Sequence, residues 1–437
     1  MAPGRLHLSA LALLLAVAFY YLDLTSLVPT SLLLHLPTSV ANVLGGEQVV
    51  LQAAQEVDGQ RQAVFEQAST QAEEHPPFDA PPSFKRHIVA VGDLHGDLPN
   101  ALKVLKFSGV IDEAGDWTGI PDFFVQTGDI IDRGDDTIPL FDLMDKLRAQ
   151  APETGGQVLS HLGNHEWMNA IGDWRYVYPS EIKTFGSVKE RQDMLSTGRI
   201  GNTWAANYTT ASRLPLHPAL GPPNTPYPNT EQPSASPLLS HVALSFVHGG
   251  LSPTYSNLSP FPSRINDLSD SLLRKLQRRT QPPPHPPAAY PGLPHSTTDE
   301  EAELYGADGP LWYRGWALGT EAEVCAAVDG VLNKTGTRRM IMGHTPDFHG
   351  IVSRCEGKII IIDTGISHAY GGALSALEVL YELAPVRKVE EVKDSEEEAW
   401  VYREREVVNA LYVDGKELIA DDVRELTLKA NDLTIVS

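Results

Sequence analysis

Cysteine is almost absent from this chain, because its 437 residues include only Cys325 and Cys355. Two cysteines allow at most one bridge, so a fold built on disulfides is excluded. A zinc site made of cysteines is excluded for the same reason. A chain of this length can bury a full hydrophobic core without such cross-links, in one large domain or two to three small ones.

Basic residues are also scarce. The chain has 34 lysines and arginines against 56 aspartates and glutamates, which gives a formal net charge of −22. A general nucleic-acid binder needs an electropositive face to meet phosphates, so we expect no nucleic-acid partner. The apolar share of 42% and the charged share of 21% are those of an ordinary globular protein.

Long apolar runs are confined to the N-terminus. Leu6–Leu22 is mostly apolar and follows Arg5, which is the pattern of a signal peptide or signal anchor. Its length is near the short limit for a membrane span, and prolines interrupt the apolar stretch at 24–44. We therefore predict a signal or anchor region at 1–45 and a secretory location, lumenal or membrane-anchored. A hydrophobic leader of another kind is the alternative.

Three N-glycosylation sequons begin at Asn207, Asn257 and Asn333. They would be usable in the secretory lumen. Such triplets also arise by chance, so they support the secretory prediction only weakly.

Polar and proline-rich stretches divide the rest of the chain. Residues 46–83 are polar, end in prolines and are interpreted as a linker. The main globular domain is predicted at 84–385, with proline-rich surface insertions at 214–237 and 282–294. Proline excludes both insertions from helices and central strands.

The C-terminal part, 386–437, combines an acidic stretch with a hairpin pattern. We interpret the acidic residues at 389–406 as a solvated face or loop. The apolar residues that flank Asp414-Gly415 predict a terminal hairpin, packed on the domain at 84–385.

Six short apolar runs each end in residues that can bind metal or phosphate. Each run has the length and composition of a buried strand, and helical spacing of apolar residues follows the first two. The residues after the runs are Gly92–Asp97, Gly128–Gly134, His161–Glu166, His248–Gly250, Gly343–Thr345 and Asp363–Gly365. This alternation indicates an α/β fold, in which ligands bind beyond the carboxyl ends of the strands.

One edge of the sheet would then gather a mixed set of oxygen and nitrogen donors. A lone aspartate or histidine at such a place is usually a turn or core residue, but the repetition favours a site. The set comprises Asp93, His95, Asp129, Asp132, Asn164, His165, His248 and His344, with Arg133 beside them. Mn, Fe and Zn prefer such donors, and two metals about 3.5–4 Å apart, bridged by a carboxylate, would use them all. An arginine can bind two oxygens of a phosphate group at once. Together with the two metals, it predicts hydrolysis of phosphate esters.

At these residues the chain closely resembles the phosphoprotein phosphatase family of dimetal phosphoesterases. The matching motifs are Gly92-Asp93-Leu94-His95-Gly96, Gly128-Asp129-Ile130-Ile131-Asp132-Arg133-Gly134, Gly163-Asn164-His165-Glu166, His248-Gly249-Gly250 and Gly343-His344-Thr345. The resemblance implies the calcineurin-like fold, a central β-sandwich flanked by helices in four αββα layers. It also places a second phosphate-binding arginine at Arg314.

The eukaryotic Ser/Thr members of that family carry a Ser-Ala-Pro-Asn-Tyr-Cys stretch after the last histidine. Here the region reads Asp363-Thr364-Gly365-Ile366-Ser367. With Trp312-Tyr313-Arg314-Gly315 and Glu166-Trp167-Met168-Asn169, this resembles the bacterial-like, Shewanella-type branch. The departure leaves no ground to expect toxin-type inhibitors or the usual regulatory subunits.

The resemblance also implies a role for each residue. Asp93 and His95 would bind the first metal, Asp129 would bridge the two, and Asn164, His248 and His344 would bind the second. A hydroxide held between the metals would attack phosphorus directly, while Arg133 and Arg314 neutralise the phosphoryl oxygens. His165 would protonate the leaving alkoxide, and Asp132 would orient the His165 imidazole.

Four other residues lie near the motifs. His161 is predicted to be structural. Three residues are candidates for lining the substrate groove: His349, His368 and Tyr370. Residues at such positions more often have a structural role. The two cysteines are expected to be buried thiols or one bridge.

The leading hypothesis is a phosphatase that acts on phosphoserine, phosphothreonine or phosphotyrosine in proteins. A related enzyme for small phosphoesters, such as a dinucleoside tetraphosphate, would carry the same motifs. A third alternative is a metal-bearing pseudophosphatase that works as a membrane-anchored binding module.

Overall fold

The computed structural model describes residues 46–68, 79–228, 237–389 and 398–433. The predicted signal or anchor region at 1–45 lies outside these residues. Within the described part of the chain, no helix is both long enough and apolar enough to span a bilayer.

The strands are short in the middle of the chain and long at its C-terminal end. In chain order they are β1 Phe84–Val91, β2 Phe123–Gln126, β3 Gln157–His161, β4 Tyr208–Thr209, β5 Ala211–Pro215, β6 Ala243–Val247, β7 Arg339–Met342, β8 Val352–Arg354, β9 Ile359–Ile361, β10 Ser375–Lys388, β11 Ala399–Tyr412 and β12 Gly415–Lys429.

Helices connect most of these strands. They are α1 Gly46–Ala68, α2 Leu98–Phe107, α3 Thr137–Gln150, α4 Asn164–Ile171, α5 Pro179–Thr184, α6 Val188–Ser196, α7 Arg199–Asn207, α8 Ser263–Arg278, α9 Asp299–Leu304, α10 Gly315–Leu318 and α11 Glu321–Thr335.

The strands form two sheets. The larger has the order β12-β11-β10-β1-β2-β3-β4, and the smaller has the order β5-β6-β7-β9-β8. Strands β1 to β4 run parallel, as do β6, β7 and β9. The antiparallel partners lie toward the edges of each sheet.

The two sheets pack face to face between helices. On β1, Ile88 and Ala90 belong to the core between the sheets, whereas Val89 and Val91 belong to a second core with the helices. A strand that is buried on both faces has a continuous apolar sequence rather than an alternating one. The predicted four-layer αββα fold is therefore confirmed.

Register brings the carboxyl ends of six parallel strands into line. Val91 pairs with Gln126 and Gln126 with Ser160 in one sheet, while Met342 pairs with Val247 and Ile361 in the other. All six apolar runs of the sequence are strands, and the polar residues that follow them meet at one end of the sandwich.

The segment interpreted as a linker contains helix α1, which lies against the catalytic domain. Val57, Arg61, Val64 and Phe65 share one half-buried face at helical spacing. Arg61 pairs with Asp122 at 3.3 Å. The polar composition of this stretch concealed the short apolar face.

The acidic stretch is not a solvated loop from Ala399 onward, and the interpretation was wrong there. Those residues form β11, in which Glu404 and Glu406 are buried. Arg338 pairs with both carboxylates, at 3.0 and 2.9 Å. Pairing allows the charges to be buried, which a count of acidic residues does not reveal.

Of the two proline-rich insertions, the first begins inside a sheet. Pro215 ends β5, an edge strand, and Leu214 and Leu216 are buried. Proline is tolerated at an edge because its missing N–H faces away from the ladder. Residues 282–294 contain only an isolated bridge between His285 and Asp173.

The two cysteines form a disulfide, Cys325–Cys355, with their Cα atoms 5.3 Å apart. The bond joins α11 to the turn between β8 and β9.

Candidate active site

Asp129 lies at the centre of the converging loops. Its Oδ2 is 3.3 Å from His248 Nε2, 3.7 Å from His95 Nε2 and 3.8 Å from His165 Nε2. Burial opposes its ionisation, but His248 and His165 hold the pKa of Asp129 well below its usual value. The carboxylate is therefore charged and lies close to histidines from three other strand ends.

The remaining predicted ligands surround this carboxylate. Asn164 Oδ1 lies 2.8 Å from His248 Nε2. Asp93 Oδ1 accepts from the backbone N–H of His344 at 3.3 Å. All six predicted ligands are at most 5% exposed, so the structure brings the whole set together. The metal assigned to each remains a prediction.

Two of the histidines are oriented by backbone carbonyls. Nδ1 of His95 faces Ile131 O at 3.1 Å, and Nδ1 of His248 faces Thr127 O at 3.0 Å. A carbonyl only accepts, so each Nδ1 carries a proton, and the Nε2 of His95 keeps a free lone pair. Burial, then His165, lowers the pKa of His95 to about 3. Neutral imidazole is the form that binds metal.

His344 has a buried nitrogen that no protein group satisfies. Its Nε2 lies in the interior without a hydrogen-bond partner, and burial holds the pKa of this histidine well below its usual value. An unpaired buried nitrogen is unfavourable unless something binds it. A cation at this lone pair would remove the penalty, so the residues fit a metal site.

The donors form two overlapping groups. His95, Asp129 and His165 form one, and Asp129, His248 and His344 form the other, with the donor atoms of each group within 4.8 Å of one another. Asp129 belongs to both, which is the position of a bridging carboxylate between two metals.

A further carboxylate, Asp363, lies beside Asp93. Burial, followed by Asp363 and Asp129, raises the pKa of Asp93 well above its usual value. Burial also raises the pKa of Asp363 to about 6. Crowded buried acids favour bound cations. Asp363 follows one of the apolar runs but was not among the predicted ligands.

The backbone at the site adopts left-handed conformations. His95, Asp129 and His344 have φ values of 43°, 55° and 70°. Each such residue costs on the order of 1–3 kcal/mol. A Cβ on Gly128 would lie 2.4 Å from the nitrogen of Gly163, so only glycine lets these loops meet.

Glu166 fastens two ligand loops together. Its Oε2 accepts from the N–H groups of Gly163 and Asp129, at 2.7 and 2.9 Å. Its Oε1 accepts from Ile130 at 2.8 Å and Ile131 at 3.3 Å. The motif resemblance included this glutamate, but the sequence alone suggested no task for it.

His165 and Asp132 form a buried pair. Nδ1 of His165 lies 2.7 Å from Asp132 Oδ2, so Nε2 points toward Asp129. Burial lowers the pKa of His165, but Asp129 and the bond to Asp132 raise it more, and the net shift is upward. The imidazole is thus able to hold the proton that a leaving group requires.

Two arginines flank the donors. The Arg133 guanidinium lies between the rings of Tyr176 and Tyr370, 4.3 and 4.9 Å from their centres. Arg314 donates to His344 O at 2.9 Å and to Thr345 Oγ1 at 3.0 Å. Stacking and hydrogen bonding hold both planar groups in place, with positive charge available for an anion.

Three further histidines fall outside the donor set. His161 is fully buried, with its two ring nitrogens bonded to Gln126 O and Ser212 Oγ at 2.9 Å each, which is the structural place predicted. The side chain of His349 is 98% exposed. His368 pairs with Asp97 at 2.7 Å. Tyr370 is the one groove candidate that touches the site.

Several known proteins are similar to this chain in sequence or fold. The sequence profile of the calcineurin-like phosphoesterases matches residues 86–348. An uncharacterized protein of Schizosaccharomyces pombe is 36% identical over 297 residues, which are 67% of this chain and 76% of that protein.

Two relatives carry the name of a phosphatase. Shewanella-like protein phosphatase 2 of Arabidopsis thaliana is 28% identical over 298 residues, 64% of this chain and 71% of its own. Shewanella-like protein phosphatase 1 of Plasmodium berghei is 27% identical over 284 residues, 64% of this chain and 67% of its own.

Among solved structures, the cold-active protein-tyrosine phosphatase of a psychrophilic Shewanella species has a similar fold. The TM-score is 0.52 at 22% identity, over 77% of this chain and 80% of that chain. At this identity the likeness concerns the fold alone.

Proposed function

Because the chain belongs to the calcineurin-like phosphoesterase family and is therefore a phosphoesterase, a hydrolase, we propose that it is a metal-dependent protein phosphatase. Its substrates would be proteins that carry phosphoserine, phosphothreonine or phosphotyrosine. The resemblance to Shewanella-like phosphatases is confirmed by relatives of that name, and it supports the choice of phosphoproteins.

The observation that carries the proposal is the position of Asp129 in both donor groups, with His165 on one side. Asp93, His95 and Asp129 would hold one divalent cation, and Asp129, Asn164, His248 and His344 the other. When bound, the cations supply Lewis acidity and lower the pKa of water. Mn, Fe and Zn all suit this donor set.

The chain's own residues supply the rest of the chemistry. Arg133 and Arg314 bind the phosphoryl oxygens and offset the charge that grows on them. His165 donates its Nε2 proton to the departing oxygen, since its Nδ1 is engaged by Asp132. Cys325 and Cys355 are joined to each other, so no covalent cysteine intermediate is assigned to them.

The test is phosphate release by the purified chain after chelation and again after addition of Mn²⁺. We expect chelation to abolish hydrolysis of phosphoserine and phosphotyrosine peptides and Mn²⁺ to restore it. Hydrolysis of a dinucleoside tetraphosphate with inert peptides would replace the proposal by the small-substrate alternative. Bound Mn²⁺ without turnover of any of these would favour a binding module.

For location, we propose the secretory pathway, lumenal or membrane-anchored through the N-terminus. The Cys325–Cys355 disulfide supports this, because such bonds persist in oxidising compartments. Two of the three sequon asparagines, Asn207 and Asn333, are exposed and would be accessible to a glycan.

A further inference from the structure

Arg191, on helix α6, is a fully buried arginine behind the candidate active site. Its relative exposure is 0%, and it lies outside every motif that the sequence analysis identified. Burying a guanidinium is unfavourable unless it is paired and hydrogen-bonded. The groups that satisfy Arg191 therefore indicate what it does.

One arm of the guanidinium reaches the His165 pair through Asn169. Arg191 Nη1 donates to Asn169 Oδ1 at 2.6 Å. Asn169 Nδ2 in turn donates to Asp132 Oδ1 at 2.9 Å and to the backbone oxygen of His165 at 2.9 Å. Since Arg191 occupies the amide oxygen, the amide nitrogen of Asn169 must face Asp132.

The other arm joins two carboxylates. Arg191 Nη2 donates to Glu181 Oε1 at 2.9 Å and lies 3.4 Å from Asp132 Oδ1. Glu181 is also fully buried and accepts from Thr137 Oγ1 at 2.7 Å. Asp132 and Glu181 therefore place two carboxylates beside the buried guanidinium.

Two aromatic rings pack against the guanidinium and restrict its orientation. Its central carbon lies 4.5 Å from the centre of the Trp174 ring and 5.2 Å from that of Phe185. A stacked, forked guanidinium is a rigid support, unlike a lysine ammonium. Asp132 therefore has Oδ1 fixed from behind and Oδ2 free for His165.

We propose that Arg191 is a positioning residue of the hydrolytic reaction, which acts through Asn169 and Asp132 to hold the His165 imidazole toward the leaving group. This inference rests on the proposed function. An ion pair with Glu181 alone would stabilise the fold without reaching Asn169. The contacts with Asn169 and Asp132 are what connect Arg191 to the proton donor.

Arg191→Met tests this, with Lys189→Met as the control on the same helix, where Lys189 forms an exposed pair with Asp193. We expect Arg191→Met to lower kcat for a phosphoserine peptide roughly 10- to 100-fold, with little change in KM. Hydrolysis of an aryl phosphate should change little, because a phenolate leaving group needs little protonation. Lys189→Met should leave both rates as in the wild type.

A double-mutant cycle separates positioning from stability. In an Asp132→Asn background, Arg191→Met should add little further loss, because its route to His165 is already broken. If Arg191→Met does not fold, Arg191→Lys and Asn169→Ala carry the same test. Lysine keeps the charge but cannot hold Asn169 and Glu181 together, so its loss should also depend on the leaving group.

The outcomes are distinguishable. Equal losses on alkyl and aryl substrates, or full additivity with Asp132→Asn, would overturn the inference while leaving the proposed function intact. A wild-type protein that hydrolyses neither substrate with Mn²⁺ would overturn both.

Discussion

Glu166 accepts the backbone N–H of Asp129 at 2.9 Å, so the carboxylate shared by the two donor groups is held in place by an acid outside both. Two more N–H groups of that loop and one from Gly163 bind the same side chain. The left-handed φ of 55° at Asp129 is a strained conformation that these bonds maintain.

Glu166→Gln should therefore weaken metal binding without removing a ligand. The amide has one acceptor oxygen in place of two and would turn an NH₂ group toward backbone donors. We expect Mn²⁺ affinity to fall roughly 10- to 100-fold, as for other residues that orient ligands. Titration of the metal-free protein measures it, with the exposed Glu190→Gln as control. Unaltered affinity in Glu166→Gln would show that the loop keeps its shape alone.

His165→Ala should lower kcat for a phosphoserine peptide by roughly 10²–10⁴-fold, the range for a general acid. An aryl phosphate should lose far less. Metal content, measured by elemental analysis, should be unchanged if His165 is an acid, whereas Asp129→Asn should lose metal as well as rate. A metal-depleted His165→Ala protein would instead make His165 a ligand of the first metal. The exposed His349→Ala is the matched control.

Acid should destabilise the fold through His161. Burial lowers the pKa of His161 to about 4 from an ordinary value of 6.5, so the unfolded chain binds a proton at this position where the folded chain does not. Stability from this residue is complete above pH 6.5 and is lost as pH falls toward 4. Between pH 7 and pH 5 the loss is about 2 kcal/mol.

Urea unfolding of wild type and His161→Gln at both pH values checks this. The variant should be less stable at pH 7 but lose less between pH 7 and pH 5, because the other titrating groups are common to both proteins. An equal pH dependence would mean that folding does not lower the pKa of His161.

The disulfide should contribute substantially to stability. Cys325 and Cys355 are 30 residues apart, and closing a loop of that length in the unfolded chain is worth about 3–4 kcal/mol. Replacing both by serine should lower the free energy of unfolding by that order, measured by urea titration. Wild type in strong reductant should behave like the variant. A variant as stable as the oxidised wild type would contradict the role of the bond.

Glycans should distinguish the three sequons. Asn207 and Asn333 are exposed, whereas Asn257 is 6% exposed and accepts from Arg264 at 3.2 Å. When the protein is expressed in secretory cells, we expect one glycosidase-sensitive gel shift to be lost in Asn207→Gln and one in Asn333→Gln. Asn257→Gln should lose no such shift. A full-length protein that never shifts would contradict the secretory location.

Much of the fold and the donor set could be read from the chain alone. Apolar runs such as Ile88–Val91 specify strands buried on both faces, and glycine, aspartate and histidine directly after a run specify a sharp turn at its carboxyl end. These are local properties, so neighbouring residues carry them. Helix α1 escaped prediction because its apolar face is narrow. The burial of the β11 carboxylates escaped prediction because their arginine partner, Arg338, lies far away in the sequence.

Only the tertiary structure decided which side chains support the site residues. The amide of Asn169 between Arg191 and Asp132, the Glu166 clamp, the tyrosines on either side of Arg133 and the Asp363 carboxylate beside Asp93 join residues from different loops. Strand order sets these contacts, and no periodicity along the chain records strand order. The sequence by itself thus determined which atoms can bind metal and phosphate, and the packing of two sheets determined how rigidly they are held.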